Sequence, residues 1–445
     1  MLYIYCICLP LLLILNAIVY RSVLNMPNLL TVEWLVLSIL SMFGLYDCYI
    51  PPDQVYYFIL TFILIFNILS MVLYKIKIYI PHKHLLINPV KEKENIQWDL
   101  MDKVIKICCI IMLPILIKSM LLLLRTRSLG VVRDSYLNSD LIGNKAKMLI
   151  TLLITPASYA AGIYLIVDYI DNRKFKSSLA WFIILTIETL FATAGRNKIV
   201  FLAVIIAVAL LDKYKNDIVE IVKDNKKIVG ALSGMILIVL AITLKRNLSG
   251  KGIFFNIYAY FAGAIHLFGV YLSEPTKYLL DGNNLLWGQV LFSGIIYPFT
   301  FVLRLLGSDI KAGVYIINEV TQEFIHISPT TKINNNVTFL YAALRDFGKF
   351  GVPIYSVLLS ISFVYLYKRK ERNPILKNKV MYFYFLQNLF FIIFDFNFAI
   401  PSTFFTFVYI ILFNKKIIFD IDIWEILGFR DEKNKCDNVN LPRKQ

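Results

Sequence analysis

Apolar stretches recur along almost the whole chain, and they restrict its folding more than any other feature of the sequence. A helix needs about 20 mostly apolar residues to cross the hydrocarbon core of a bilayer. Backbone polar groups find no water there, so they must bond within helices or closed barrels. Of the 445 residues, 58% are hydrophobic and only 17% charged, and the mean hydropathy is +0.66. We therefore predict an all-α polytopic membrane protein.

These stretches predict about 11 to 13 transmembrane helices. They form a single domain over residues 1–420, followed by a cytoplasmic tail over residues 421–445. The first stretch lacks a basic segment and a cleavage site, which favours a retained helix over a removable signal. The predicted helices lie near residues 2–20, 33–50, 55–74, 104–123, 148–168, 178–194, 198–212, 228–244, 253–272, 286–306, 351–368, 379–396 and 402–418.

Basic loops predict the orientation, because cytoplasmic loops carry an excess of Lys and Arg. The loops predicted to be cytoplasmic are residues 75–103, 171–176, 213–227 and 368–379. The segments left on the outer face are residues 125–147, 195–198, 245–252 and 307–350. Residues 253–306 then cross the membrane twice or not at all. The same bias accounts for much of the net charge of +16, so we expect no nucleic acid partner.

The outer segment 307–350 is the longest stretch without a span. A loop of this length in a compact protein is usually functional or disordered. Its aromatic residues and low Ser and Pro content predict an ordered loop that carries part of an active site. Neither a metal nor a cofactor is predicted, because the six cysteines lack Cys-x-x-Cys spacing and no histidine cluster accompanies them.

Several cations on the predicted outer face run against the positive-inside bias. They are Arg125, Arg127, Arg133, Arg196, Lys198, Lys245, Arg246, Arg304 and Arg345. A lipid pyrophosphate would explain the set, since guanidinium groups bind phosphate oxygens through two parallel hydrogen bonds. Snorkelling to lipid headgroups is the alternative for each cation alone. Gly195 permits a tight turn, and the N-terminus of the next helix also attracts an anion.

Carboxylate and imidazole groups at the same face are the candidate acid–base groups. Asp346 follows Arg345, and a neighbouring cation favours the charged carboxylate. Asp346 could accept a proton from a sugar hydroxyl, orient Arg345, or cap the following helix. His266, at membrane depth, and His326, in the outer loop, are reserve bases.

Short motifs in a fixed order along the chain carry a family resemblance. They are Gly195-Arg196, the stretch YFAGAIHLFGVYL at 260–272, Trp287-Gly288, Asn336-x-Thr338-Phe339 and Asp346-Phe347-Gly348-x-x-Gly351. Together, over roughly residues 190–355, they resemble the Wzy-type oligosaccharide repeat unit polymerases of bacterial O-antigen and capsule pathways.

The resemblance implies a GT-C-like, inverting and metal-independent glycosyltransferase at the outer face of the bacterial cytoplasmic membrane. A hydroxyl of one undecaprenyl-pyrophosphate-linked repeat unit would attack a chain on a second such lipid and release undecaprenyl pyrophosphate. Arg196 would bind the pyrophosphate, and Asp346 would organise the acceptor or act as base. Topology and charge, rather than the resemblance, add Arg345 as a catalytic group and Lys198, Lys245, Arg246 and Arg304 as substrate contacts, and the motif Asn336-x-Thr338 adds Asn336 and Thr338. Membrane lipids, a chain-length regulator and a flippase are the implied partners.

Two other functions fit the same pattern. A ligase that moves finished glycan to another acceptor would use similar arginines and usually an outer-loop histidine. A lipid-linked oligosaccharide flippase or other transporter would need charges along a central path within the spans. The clearest charge clusters of this sequence lie at helix ends, which favours an enzyme.

Overall fold

The computed structural model describes residues 2–76, 96–138, 140–193, 195, 197–214, 217–245, 252–274, 285–334 and 337–414. Helices dominate these residues, which confirms the all-α class. The predicted tail at residues 421–445 lies outside the described residues.

The first half of the chain folds into helices joined mostly by short connections, and a π-helical turn at Ile150–Ile154 joins α6 to α7. The helices are α1 (Leu2–Tyr20), α2 (Met26–Met42), α3 (Asp53–Lys75), α4 (Trp98–Thr126), α5 (Leu129–Leu137), α6 (Asn144–Leu149), α7 (Thr155–Asn172), α8 (Ser177–Thr193), α9 (Asn197–Lys213), α10 (Ile218–Asp224) and α11 (Lys226–Lys245).

The second half adds a small antiparallel hairpin, formed by β1 and β2, to the helices. Its elements are α12 (Ile253–Ser273), α13 (Ser293–Leu305), α14 (Gly313–Thr321), β1 (Ile325–Ser328), β2 (Thr331–Ile333), α15 (Phe339–Phe347), α16 (Gly351–Arg372), α17 (Leu376–Phe390) and α18 (Pro401–Leu412). The predicted outer loop 307–350 therefore contains regular structure rather than an irregular chain.

Local chemistry explains why two of the predicted helices have wrong boundaries. Helix α2 begins before the predicted residue 33, because the side chain of Asn25 accepts a hydrogen bond from the Asn28 N–H at 2.8 Å and caps the helix. Gly44, with a φ of 54°, follows its end. Helix α13 begins after the predicted residue 286, since Trp287 and Gly288 have φ values of 48° and 88°, which no right-handed helix contains.

Five stretches of the described residues are long and apolar enough to cross a membrane, or six if the bent pair α10 and α11 forms one span. The five are Asp53–Lys75, Trp98–Thr126, Ala146–Asn172, Phe254–Ser273 and Phe339–Arg372. This set indicates a multi-pass membrane protein. Three other apolar helices, α2, α8 and α18, have only 12–17 residues and reach roughly 18 to 26 Å, less than the core thickness of about 30 Å. The total of 11 to 13 spans stays a prediction.

The basic loops meet at one end of the helix bundle, here called the basic end. Lys379 Nζ lies 2.7 Å from Asp171 Oδ2, which joins the first turn of α17 to the last turn of α7. Lys370, near the end of α16, pairs with Asp212 near the end of α9. Because these loops lie at the same end of the bundle, their position agrees with the prediction that they share one side of the membrane.

The opposite end, here called the outer end, comprises residues 43–52, the β1–β2 hairpin, α15 and residues 391–400. The Tyr49 N–H donates to the Ile327 carbonyl at 2.8 Å, and the rings of Phe339 and Phe396 lie 6.5 Å apart. These contacts tie segments from distant parts of the sequence into one assembly.

Helix α12 lies along this outer end from its first turns to its last. Tyr258 contacts the Tyr46 ring at 5.5 Å, Phe261 contacts Phe394 at 5.9 Å, and Tyr271 lies 4.8 Å from another outer-end ring, that of Tyr341. Helix α13 has 13 residues and is about 20 Å long, too short to cross a bilayer. Of the two predicted possibilities for residues 253–306, these contacts favour the one without a crossing.

Candidate functional site at the outer end

An open cavity of about 500 Å³ lies at the outer end, between α12, residues 49–52 and the strand β1. Its volume falls within the range of about 300 to 1,000 Å³ that is usual for ligand pockets. His266 and His326, predicted separately as reserve bases, both line it, together with Glu274 and Glu323. The fold thus gathers imidazole and carboxylate groups from α12 and from the hairpin segment.

His266 forms a fixed part of the cavity wall. Its Nδ1 lies 2.8 Å from the Tyr49 carbonyl, which can only accept, so Nδ1 carries the proton. In the neutral ring, Nε2 then accepts from the Tyr258 hydroxyl at 2.7 Å. With both nitrogens engaged and only 1% of its surface exposed, His266 is poorly placed to take a proton from a ligand.

His326 differs because its side chain on β1 is exposed. Its Nδ1 donates to the Ser328 carbonyl at 3.2 Å, so the neutral ring holds its lone pair on Nε2. Glu274 and Glu323 are exposed as well. The accessible acid–base groups of the cavity are therefore one imidazole and two carboxylates.

Asp346 is completely buried and serves as a hydrogen-bond centre between elements. Its Oδ1 accepts from the Val290 N–H at 3.0 Å, and its Oδ2 accepts from the Leu291 N–H at 2.8 Å and from the Tyr355 hydroxyl at 2.6 Å. The carboxylate thereby joins α15 to α16 and to the turn before α13. This geometry favours the capping role over the predicted role as base, although the turn that it caps precedes α13.

Two of the motifs that carry the family resemblance form one structural unit. The Trp287 N–H donates to the Asp346 carbonyl at 3.0 Å. A side chain on Gly288 would meet the Phe347 ring at 3.2 Å, and the positive φ of Gly288 also favours glycine. Packing between the two segments therefore explains the Trp287-Gly288 and Asp346-Phe347-Gly348 motifs without a catalytic role.

Neither Arg345 nor Thr338 is exposed. Arg345 has 3% of its surface exposed, and its carbonyl accepts from the Leu286 N–H at 2.9 Å. Thr338 has 1% exposed and lines a second cavity of about 20 Å³. That volume is enough for one water molecule. Arg304, in contrast, is exposed in the last turn of α13.

The predicted pyrophosphate-binding turn lies beside Arg133 of α5. Arg133 Nη1 is 3.5 Å from the Thr193 carbonyl and 3.0 Å from the position of a Cβ on Gly195. Lys198 points elsewhere, with its Nζ 5.9 Å from the ring centre of Phe182 in α8. The predicted residues outside the described part of the chain are Arg196, Arg246, Asn336 and the side chain of Lys245.

The outer end thus offers a cavity with acid–base groups, and an arginine lies separately against the Gly195 turn. No protein-family model matches the chain, and comparisons with curated proteins and with solved structures find no significant match. Any function assigned to the protein therefore depends on these residues and on the motif resemblance.

Asp395 is a candidate that the sequence interpretation missed. Its exposed side chain lies between α17 and α18 and lines the small cavity beside Thr338. The Phe396 N–H donates to its Oδ1 at 2.7 Å. Ligand pockets typically include a few polar groups of this kind that orient a ligand. The sequence could have indicated Asp395, because a carboxyl group inside the predicted span 379–396 is unusual unless it has a function.

Proposed function

We propose that the protein polymerises undecaprenyl-pyrophosphate-linked oligosaccharide repeat units at the outer face of the bacterial cytoplasmic membrane. The supporting observation is the open cavity that holds His326, Glu274 and Glu323 at the end of the bundle opposite the basic loops. Substrates carried on a membrane lipid would reach this end from the bilayer. The motif resemblance supplies the reaction class.

In the proposed reaction, a hydroxyl oxygen of the acceptor saccharide attacks the anomeric carbon of the donor. A new carbon–oxygen bond forms, the bond to the pyrophosphate breaks, and the pyrophosphate leaves with the electron pair. The hydroxyl proton passes to a base, for which His326 is better placed than Asp346, because the oxygens of Asp346 are already bonded within the protein. General-base assistance typically contributes about 100-fold to 10,000-fold.

The leaving pyrophosphate needs cations, and the Gly195 turn is the proposed place. Arg133 lies against this turn, and Arg196 follows Gly195 in the sequence. Two guanidinium groups there would stabilise the negative charge that develops on the departing phosphate. Arg345 is buried, so it is proposed to support the site rather than to contact the lipid.

Deletion of the gene followed by electrophoresis of surface glycans tests the proposal directly. We expect a single repeat unit in place of a ladder. Arg196→Ala should give the same pattern at an unchanged protein level, whereas Lys174→Ala, which removes an exposed cation at the basic end, should leave the ladder intact. Normal ladders from the deletion strain would refute the polymerase assignment.

A ligase is the second candidate, and the exposed His326 in the predicted outer loop favours it. The same electrophoresis separates the two functions. Loss of a ligase leaves long glycan ladders attached to the lipid carrier and absent from the final acceptor. Loss of a polymerase leaves only short saccharides.

A further inference from the structure

The open cavity at the outer end has an acidic lining. Within the part of the chain that the structure describes, the charged side chains that line it, His aside, are Glu274 and Glu323. Both carboxylates are exposed. The Gly195 turn carries the opposite charge, because Arg133 lies against it. The cavity and the Gly195 turn therefore differ in the sign of the charge that they present.

We propose that this cavity binds the phosphate-free acceptor end of a saccharide, and that the pyrophosphate of either lipid lies outside it. The inference rests on the proposed function for the statement that the saccharide is lipid-linked. Carboxylates accept strong, charge-assisted hydrogen bonds from sugar hydroxyl or amine groups. They repel a pyrophosphate, whose negative charges would lie close to two carboxylates.

The rest of the lining also suits a sugar. Phe324 and Tyr49 have 66% and 48% of their surfaces exposed, and Pro51 and Pro52 add a rigid apolar wall. Ligand pockets typically combine such apolar and aromatic surface with a few polar groups that fix orientation. Gly269 lets α12 approach this wall, because a Cβ at Gly269 would lie 2.9 Å from the Pro51 side chain.

The exposed imidazole of His326 provides a base in the same cavity. His326 shares the cavity with the two carboxylates, and its neutral ring keeps a lone pair on Nε2. A hydroxyl held by Glu274 or Glu323 would therefore lie in the same cavity as a base that can accept its proton. His266 remains a wall residue, since the protein engages both of its nitrogens.

Binding measurements on the full chain in lipid nanodiscs test this inference. The first probe is the free oligosaccharide that mild acid releases from the lipid-linked saccharides of the producing cells. The second probe is farnesyl pyrophosphate, which carries the phosphate chemistry without a sugar. The variants are Glu274→Gln combined with Glu323→Gln, Ser273→Trp to fill the cavity, and Glu319→Gln as the matched control. Glu319 is an exposed carboxylate on α14 that pairs with Lys311 away from the cavity lining.

The double Gln variant should weaken oligosaccharide binding by about tenfold or more, because hydrogen bonds to charged groups are the strong ones. Ser273→Trp should abolish this binding. Both variants should keep their affinity for farnesyl pyrophosphate, and Glu319→Gln should bind both probes like the wild type. An unchanged melting temperature shows that each variant is folded.

Three results would overturn the inference: no oligosaccharide binding by the wild type, unchanged binding by both cavity variants, or displacement of the oligosaccharide by farnesyl pyrophosphate. Failure of the proposed function is a separate outcome. If the deletion strain makes normal ladders while the cavity variants lose the oligosaccharide, the cavity assignment stands and the polymerase assignment falls. If the deletion strain loses the ladder but the cavity variants bind the oligosaccharide normally, the polymerase assignment stands and the cavity assignment falls.

Discussion

Two acidic residues at the outer end, Asp346 and Asp395, differ in how their oxygens are used. Asp346 is buried and bonded to three donors, whereas Asp395 is exposed and bonded to the neighbouring Phe396 N–H. The sequence marks Asp346 through its motif, but the donors on Val290 and Leu291 are distant in the chain, so its role could not be predicted. Asp395 could have been predicted, because a carboxyl group inside an apolar stretch is costly unless it has a function.

Asp346→Asn should destabilise the protein. The amide –NH₂ that replaces one carboxylate oxygen would face a backbone N–H of Val290 or Leu291, and an unsatisfied buried donor costs about 1–3 kcal/mol. We expect a lower melting temperature in detergent and a lower protein level in membranes. Tyr355→Phe, which removes a single donor and keeps both backbone bonds, should cause a smaller loss. Full stability combined with absent polymerisation would instead indicate a catalytic carboxylate.

At the scale of elements, prediction succeeded where apolar composition alone defines a helix. Helices α1 and α3 closely match the predicted residues 2–20 and 55–74. The outer-end elements were not predictable in the same way, because partners distant in sequence hold them. The hairpin, for example, receives a hydrogen bond from the Tyr49 N–H, and α12 is apolar enough to span a membrane yet packs along outer-end segments.

The crossing of α15 over the start of α16 requires a glycine. A Cβ on Gly351 would lie 1.8 Å from the Ala343 carbonyl oxygen, a backbone atom that cannot move without shifting α15. Gly351→Ala should therefore disturb the outer end and reduce both the melting temperature and polymerisation. Gly230→Ala in α11 is the matched control, since no atom lies within 4 Å of its Cβ position. Alanine there should be neutral or slightly stabilising, because it has a higher helix propensity than glycine.

Tolerance of Gly351→Ala, with the same melting temperature as Gly230→Ala, would show that α15 and α16 do not cross as closely as described. Comparing the two variants also separates the effect of helix propensity from the effect of packing. Both changes replace a helical glycine by alanine, so their helix-propensity effects are similar. Gly351 is buried against Ala343, whereas Gly230 is exposed, so a difference between the two variants reports mainly the packing of Gly351.

At the scale of the molecule, charge and contacts divide the bundle into two ends. The positive-inside bias predicts that the basic loops share one side, and the ion pairs Lys379–Asp171 and Lys370–Asp212 bring these loops together. The cavity and its acid–base groups lie at the other end. The position of each end relative to the membrane follows from the bias alone, so the cellular side of the cavity stays a prediction.

Labelling of single cysteines with a membrane-impermeant maleimide tests that side. Pro329→Cys places a thiol at the exposed turn of the β1–β2 hairpin, and Lys174→Cys places one at the basic end. We expect Pro329→Cys to react in intact cells and Lys174→Cys only after permeabilisation, with the unsubstituted parent as control. The reverse pattern would put the cavity in the cytoplasm, on the side where nucleotide-activated rather than lipid-carried donors are abundant. A polymerase that joins repeat units outside the membrane could not then use this cavity, and the proposed function would have to be abandoned together with the orientation.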